Sequence, residues 1–168
     1  MSADDGGGAL ATPPSRRAGH AMRADYRTDE SMGFLVKEAA RAFIRALAPR
    51  IARHGISPGQ WFVLRILWEQ DGLSQRDISR RLGIMDPSTA STLASLERDG
   101  LIRRQKHPTD RRQTLVYLTA KGRDLRDRTL HSARDINALA ATGLDPDEVA
   151  LSRRVLLRMI DNLQNSRR

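Results

Sequence analysis

Five start signals, four of them followed by a stop, cut residues 57–163 into helical segments, and this punctuation constrains the fold more than any other feature. Ser57-Pro58-Gly59-Gln60 joins an N-cap serine, a proline at the first helical position and a capping-box glutamine, and Asp71-Gly72 ends the helix it opens. Ser74-Gln75-Arg76-Asp77 starts a short helix that Gly83 stops, and Asp86-Pro87 caps the next, which Gly100 closes. Thr119 caps a longer helix that ends by Gly143, and Asp145-Pro146-Asp147-Glu148 caps the last. Within the segments, apolar residues keep helical spacing: Trp61, Leu64, Leu67 and Trp68, then Ile78 and Leu82, then Ala90, Leu93 and Leu96, then Leu125, Ala133 and Ile136. Upstream, Leu35, Ala39, Phe43, Leu47 and Ile51 recur every fourth residue from Ser31, with Pro49 expected to kink or loosen the final turns.

Between Gly100 and Thr119 the pattern changes. Residues 101–106, a turn at His107-Pro108-Thr109-Asp110 and Thr114-Leu115-Val116-Tyr117-Leu118 read as two short strands in a hairpin. A short helix, a tight turn, a second helix and then a basic hairpin form the order of a winged helix-turn-helix. The expected fold is therefore mainly α with a small β-hairpin wing. Four regions follow: a flexible tail (1–28), an N-terminal dimerisation helix (29–56), a winged lobe (57–123) and C-terminal dimerisation helices (124–168).

Charge is concentrated in the same place. Residues 74–123 hold eleven Lys and Arg against five Asp and Glu, so they carry +6 of the chain's formal +9. A local basic patch suits a polyphosphate partner, because neutralised phosphates release counterions. The 168 residues are 39% hydrophobic, enough for an unaided core, and the lack of cysteine removes disulfides, thiol chemistry and thiolate metal sites. No apolar run reaches a membrane span of about 20 residues, and the opening MSADDGGGALATPP lacks the pattern of a signal peptide, so a cytoplasmic protein is expected.

The helix from Asp86 carries Ser88, Thr89, Ser91, Thr92 and Ser95 at positions expected to face away from the core. Short polar side chains there approach base edges and phosphates closely, and the helix N-terminus adds free amides and a positive dipole end. Ser74, Gln75, Pro87 and Arg98 complete the expected DNA-facing set on the two helices. On the hairpin, Arg103, Arg104, Lys106, Arg111 and Arg112 place five cations beside one loop, and arginine fits a narrow minor groove. The partners expected are double-stranded DNA and a second copy of the chain, with no membrane and no cofactor.

Residues 55–122 resemble the multiple-antibiotic-resistance regulator (MarR) family, notably in Leu96-Glu97-Arg98-Asp99-Gly100-Leu101-Ile102 and in Asp110-Arg111-Arg112 followed by Val116-Tyr117-Leu118-Thr119 and Gly122. With the flanking helices the resemblance covers residues 31–163. It implies a homodimer with interlocked terminal helices, two lobes reading a palindrome and a small ligand between the dimer and DNA lobes. It also implies that Asp110 braces the wing, Arg112 enters the minor groove and Arg111 lies near phosphate. Thr92 departs from the family, since many members carry a basic residue there. The function expected is a sequence-specific regulator, a ligand-responsive repressor released from DNA by a small effector. The alternative is a sequence-tolerant architectural protein with few base contacts.

Apolar stripes on both terminal helices, including Leu35, Phe43, Leu47, Leu156, Met159 and Leu163, support dimerisation independently, because no remaining segment can cover them. A private three-helix core is the alternative. Trp61, Phe62 and Trp68 crowd one helix of a chain that is only 4% aromatic. Either they are core, or Trp61, Trp68 and His54 line a pocket for an aromatic carboxylate or thioester with Arg50 as its charge partner. Gly55-Ile56-Ser57-Pro58-Gly59 matches a nucleophile elbow, but that motif needs a strand before the serine and these residues read as a helix end. The four histidines have no metal-ligand spacing, and no phosphate-binding glycine loop occurs, so no enzyme is expected.

Overall fold

The computed structural model describes residues 31–110 and 112–166. The tail assigned to residues 1–28 and the wing residue Arg111 lie outside the described residues. Two compact units divide the chain, residues 1–40 and 41–168. Helix α1, Met32–Ala52, runs across the division. In the first unit, the Ser31 hydroxyl accepts the Phe34 amide at 3.3 Å, and Leu35 stands exposed.

In the second unit α1 is followed by α2 (Pro58–Glu69), β1 (Leu73–Ser74), α3 (Gln75–Leu82), α4 (Asp86–Arg98), β2 (Ile102–Lys106), β3 (Thr114–Leu118), α5 (Ala120–Ala140) and α6 (Pro146–Asn165). The order and the small antiparallel sheet are those of a winged helix-turn-helix with helical flanks. Most of the start signals act as expected. The Ser57 hydroxyl accepts the Gln60 amide and the Gln60 side chain accepts the Ser57 amide, a complete capping box. Ser74 accepts the Asp77 amide to start α3, and Thr119 accepts the Gly122 amide to start α5. Gly83 ends α3 at φ +66°, a left-handed turn that lets α4 set off at once in a new direction.

Two local expectations need correction. Asp86 is not the cap of α4 but its first residue; Met85 occupies the N-cap, where its side chain makes no capping bond. Pro49 lies inside α1, which continues to Ala52, with Leu47 and Ile51 on either side of it both buried in the core. The sheet has three strands instead of two: β3 lies in the middle, with β2 on one side and the two-residue β1 on the other. Leu73 pairs with Val116 and Ser74 with Leu115, while Ile102 pairs with Leu118 and Lys106 with Thr114 at the far end of the hairpin.

The core of this unit joins Leu64 and Leu67 of α2, Ile78 of α3, Leu93 and Leu96 of α4, and Ile102, Val116 and Leu118 of the sheet. Burial of these side chains, at roughly 1.5–3 kcal/mol each, fixes the helices against the sheet. Helix α5 is locked to the lobe at Gly122: a Cβ there would lie 2.1 Å from the Leu101 carbonyl oxygen, so only glycine permits the approach. The Gly122 carbonyl in turn accepts the indole N–H of Trp68 at 2.9 Å. Helix α6 contrasts with everything before it, since none of its residues is buried.

Candidate nucleic-acid interface

The packing of α4 decides which of its polar side chains are available. Leu93 and Leu96 are fully buried, and Thr89 completes the same stripe one turn earlier. Thr89 therefore points inward, not outward as expected: it is completely buried, and its hydroxyl accepts a 2.8 Å hydrogen bond from Ser79 of α3. Ser95 also turns towards the protein, where its Oγ accepts from the Gln60 side chain at 3.1 Å and from Arg98 at 3.0 Å. Gln60 donates as well to the Asp99 carboxylate at 2.8 Å, so α2 and the end of α4 are tied by one polar cluster. Thr92 is half-buried on the side towards Gly59, with its hydroxyl donating to the Ser88 carbonyl at 3.0 Å.

What remains exposed on α4 is its first turn and one flank, Asp86, Pro87, Ser88, Ser91 and Ala94, with Glu97 and Arg98 at its foot. The Ser91 hydroxyl donates to the Ser88 carbonyl, which leaves its oxygen lone pairs free to accept. Gln75 reaches across from α3 to within 3.5 Å of the Asp86 carbonyl, bringing its amide beside this turn. Ser74 is occupied in capping: its hydroxyl donates to the Asp77 carboxylate at 2.6 Å while accepting the Asp77 amide. That bond, and behind it the positive charge of Arg80 at 2.6 Å, holds the Asp77 carboxyl below the usual aspartate range in spite of partial desolvation.

At the wing, the Asp110 carboxylate accepts the Arg112 amide at 3.0 Å and the Gln113 side-chain amide at 3.0 Å. His107 Nδ1 accepts the Asp110 amide at 3.1 Å, so the loop is closed from both sides. The cations differ in availability. Lys106 and Arg112 are exposed at the tip, Arg104 is paired with Glu97 of α4 at 3.2 Å, and the Arg103 guanidinium lies over the Tyr117 ring. Arg98 stays at the foot of α4 beside Ser95 and Asp99. Arg76 of α3, exposed near Gln75, was not among the residues expected here; its place on the outer face of a two-turn helix was the available signal.

The four residues expected to share a ligand pocket are separated. Trp61 lines a cavity of about 310 Å³ with Phe43, Leu47, Phe62, Arg65, Leu130, Arg134 and Ile136. His54 lines a different hollow, of about 700 Å³, with Arg53, Lys121 and Arg128. Trp68 belongs to neither, being anchored on the Gly122 carbonyl, and Arg50 has a buried guanidinium nitrogen without a hydrogen-bond partner and lines no described cavity. They diverge because several separate hollows border α5, and Trp68 lines a third one with Leu118, Arg123 and Arg126. Ser57 follows a helix and a turn, with no strand before it, and its hydroxyl is engaged in the cap, which removes the nucleophile-elbow reading.

A helix-turn-helix backed by a three-stranded sheet with a basic tip is the architecture of winged-helix DNA-binding proteins. The model of the MarR family matches residues 56–114. The chain is 36% identical over 139 residues to the HTH-type transcriptional regulator TtmR of Methylorubrum extorquens, a match covering 83% of this chain and 67% of that protein. It is 36% identical over 92 residues to the homoprotocatechuate degradative operon repressor of Escherichia coli, covering 55% of this chain and 60% of the repressor. Among solved structures, CouR of Rhodococcus jostii RHA1 bound to p-coumaroyl-CoA superposes with a TM-score of 0.70 at 26% identity, covering 80% of this chain and 94% of CouR. The chain belongs to the MarR family of transcriptional regulators.

Proposed function

We propose that this protein is a homodimeric, ligand-responsive repressor that reads a palindromic operator. The observation that carries the reading is the joint presentation of a polar helix start (Pro87, Ser88, Ser91, with Gln75 beside it) and a braced basic tip (Lys106, Arg112) on one small lobe. The first turn of α4 enters the major groove and the tip, with Arg112, lies in the adjoining minor groove, with Lys106 near phosphate. The lobe is residues 57–123, and the flanks are the dimerisation elements. Helix α6 supports this division: Leu156 and Leu163 are exposed along it, Met159 is half-buried, and Phe43 of α1 is 41% exposed, an apolar surface that suits a second copy.

The effector site is the cavity walled by Trp61 and Phe62. About 310 Å³ fits one aromatic ring with a short acyl group, and Arg65 and Arg134 at its rim supply the positive charge that Arg50 does not. The E. coli relative is named for homoprotocatechuate degradation and CouR is bound to an aromatic acyl-CoA, which favours aromatic acids or their thioesters. Such a ligand weakens DNA binding only by preferring the lobe spacing that does not fit DNA. A thermal-shift panel of aromatic acids and thioesters, repeated on Arg134→Ala, tests this: no stabilisation of the wild type, or equal stabilisation of both, contradicts it.

One observation favours the sequence-tolerant alternative: the hydroxyl protons of Ser91 and Thr92 are already engaged by the Ser88 carbonyl, which reduces the capacity for base readout. Arg112→Ala and Ser91→Ala separate the readings. In a sequence-specific repressor the first lowers affinity and flattens the salt dependence, while the second changes preference among sequences. In an architectural protein the second does nothing.

A further inference from the structure

The turn between α3 and α4 presents two large apolar side chains beside polar neighbours, the exposed Asp86 among them: Ile84 is 45% exposed and Met85 is 77% exposed. Met85 stands at the N-cap of α4, where serine, threonine, aspartate or asparagine would add about 1 kcal/mol by bonding a first-turn amide. Methionine forgoes that bond and gains no burial in return. A local rule broken without a compensating contact in the fold marks a residue placed for another purpose. Its backbone is extended, at φ −71° and ψ 145°, and Pro87 two residues later fixes the start of the helix. Ser88 and the Gln75 amide flank it.

We propose that Met85, with Ile84 behind it, is a specificity-determining residue that packs on the 5-methyl group of a thymine in each half-site. This rests on the DNA-binding reading above and goes beyond it. The N-terminal residues of a recognition helix are those that meet base edges, and the thymine methyl is the one apolar feature of the major-groove edge. A flexible, polarizable thioether adapts its shape to such a group, and covering it removes apolar surface from water on both partners.

The test uses the full-length protein and a duplex recovered by selection from a random-sequence library. Each thymine of that duplex is replaced in turn by uracil, which removes only the methyl group, and affinities are measured for the wild type, Met85→Ala and Met85→Leu. At one thymine per half-site, uracil should cost the wild type and Met85→Leu about fourfold, the worth of one buried carbon, and cost Met85→Ala nothing. Equal losses in all three proteins, or no loss at any thymine, overturn the proposal while leaving DNA recognition intact. A change in the mass of the free protein on Met85→Ala would place the side chain against a second copy instead and also overturn it. Absence of any preferred duplex would instead overturn the sequence-specific reading on which the proposal rests.

Discussion

Thr89 shows how one hydroxyl changes the reading of a helix. Its position four before Leu93 and seven before Leu96 puts it on the core stripe, and that spacing is visible in the sequence. Its polarity argued for the surface, and the argument failed because the partner that makes burial tolerable, Ser79, lies ten residues away on another helix. Thr89→Val keeps the shape but strands the Ser79 hydroxyl, and should cost about 1–3 kcal/mol in chemical denaturation. Adding Ser79→Ala should recover most of that loss; no recovery would mean that shape, and not the hydrogen bond, dominates. Asp77 gives a pH-dependent counterpart. Its folded-state value is lowered, so its contribution is fully present above the ordinary aspartate value of about 3.9 and is lost as pH falls through the lower folded value. The difference in melting temperature between wild type and Asp77→Asn should therefore be constant from neutrality to about pH 4 and shrink below it.

At the scale of elements, helices were legible because their ends are written locally: Ser57, Ser74, Gly83 and Thr119 cap or stop as their chemistry dictates. Strand β1 was not, because Leu73 and Ser74 are two residues whose pairing with Val116 and Leu115 depends on the hairpin arriving from more than forty positions away, and Ser74 already serves as a cap. The proposed pocket failed for a related reason: helical spacing places Trp61 and Trp68 on α2 but does not say which hollow beside α5 each of them lines. The junction of wing and α5 yields a sharp prediction. Gly122→Ala forces the 2.1 Å approach to the Leu101 carbonyl apart and should cost about 1–3 kcal/mol or more, while Gly33→Ala, with open space around its Cβ, should be close to neutral or stabilising. Arg112→Ala, with an exposed side chain, should leave the melting temperature unchanged and reduce the slope of log affinity against log salt by about one phosphate contact.

On the whole-molecule scale, the family and the fold class were readable from the order of segments and from the wing residues, whereas the partner of α6 is written only as something missing. No residue of this twenty-residue amphipathic helix is fully buried among the described residues, and Leu151, Leu156, Leu157, Ile160 and Leu163 are all exposed. No helix among the described residues is long and apolar enough to cross a membrane. Leu156→Glu with Ile160→Glu should give a monomer by analytical ultracentrifugation and weaken binding to a two-half-site duplex far more than to a single half-site. An unchanged mass would refute the dimerisation role of α6. The central claim, that this winged lobe reads sequence, is tested most directly by the affinity of wild-type protein for its best selected duplex against a scrambled duplex of equal composition, at near-physiological salt. The account predicts a selected site with two inverted half-sites about one helical turn apart and a preference of roughly a thousandfold or more. Equal affinity for both duplexes would contradict it.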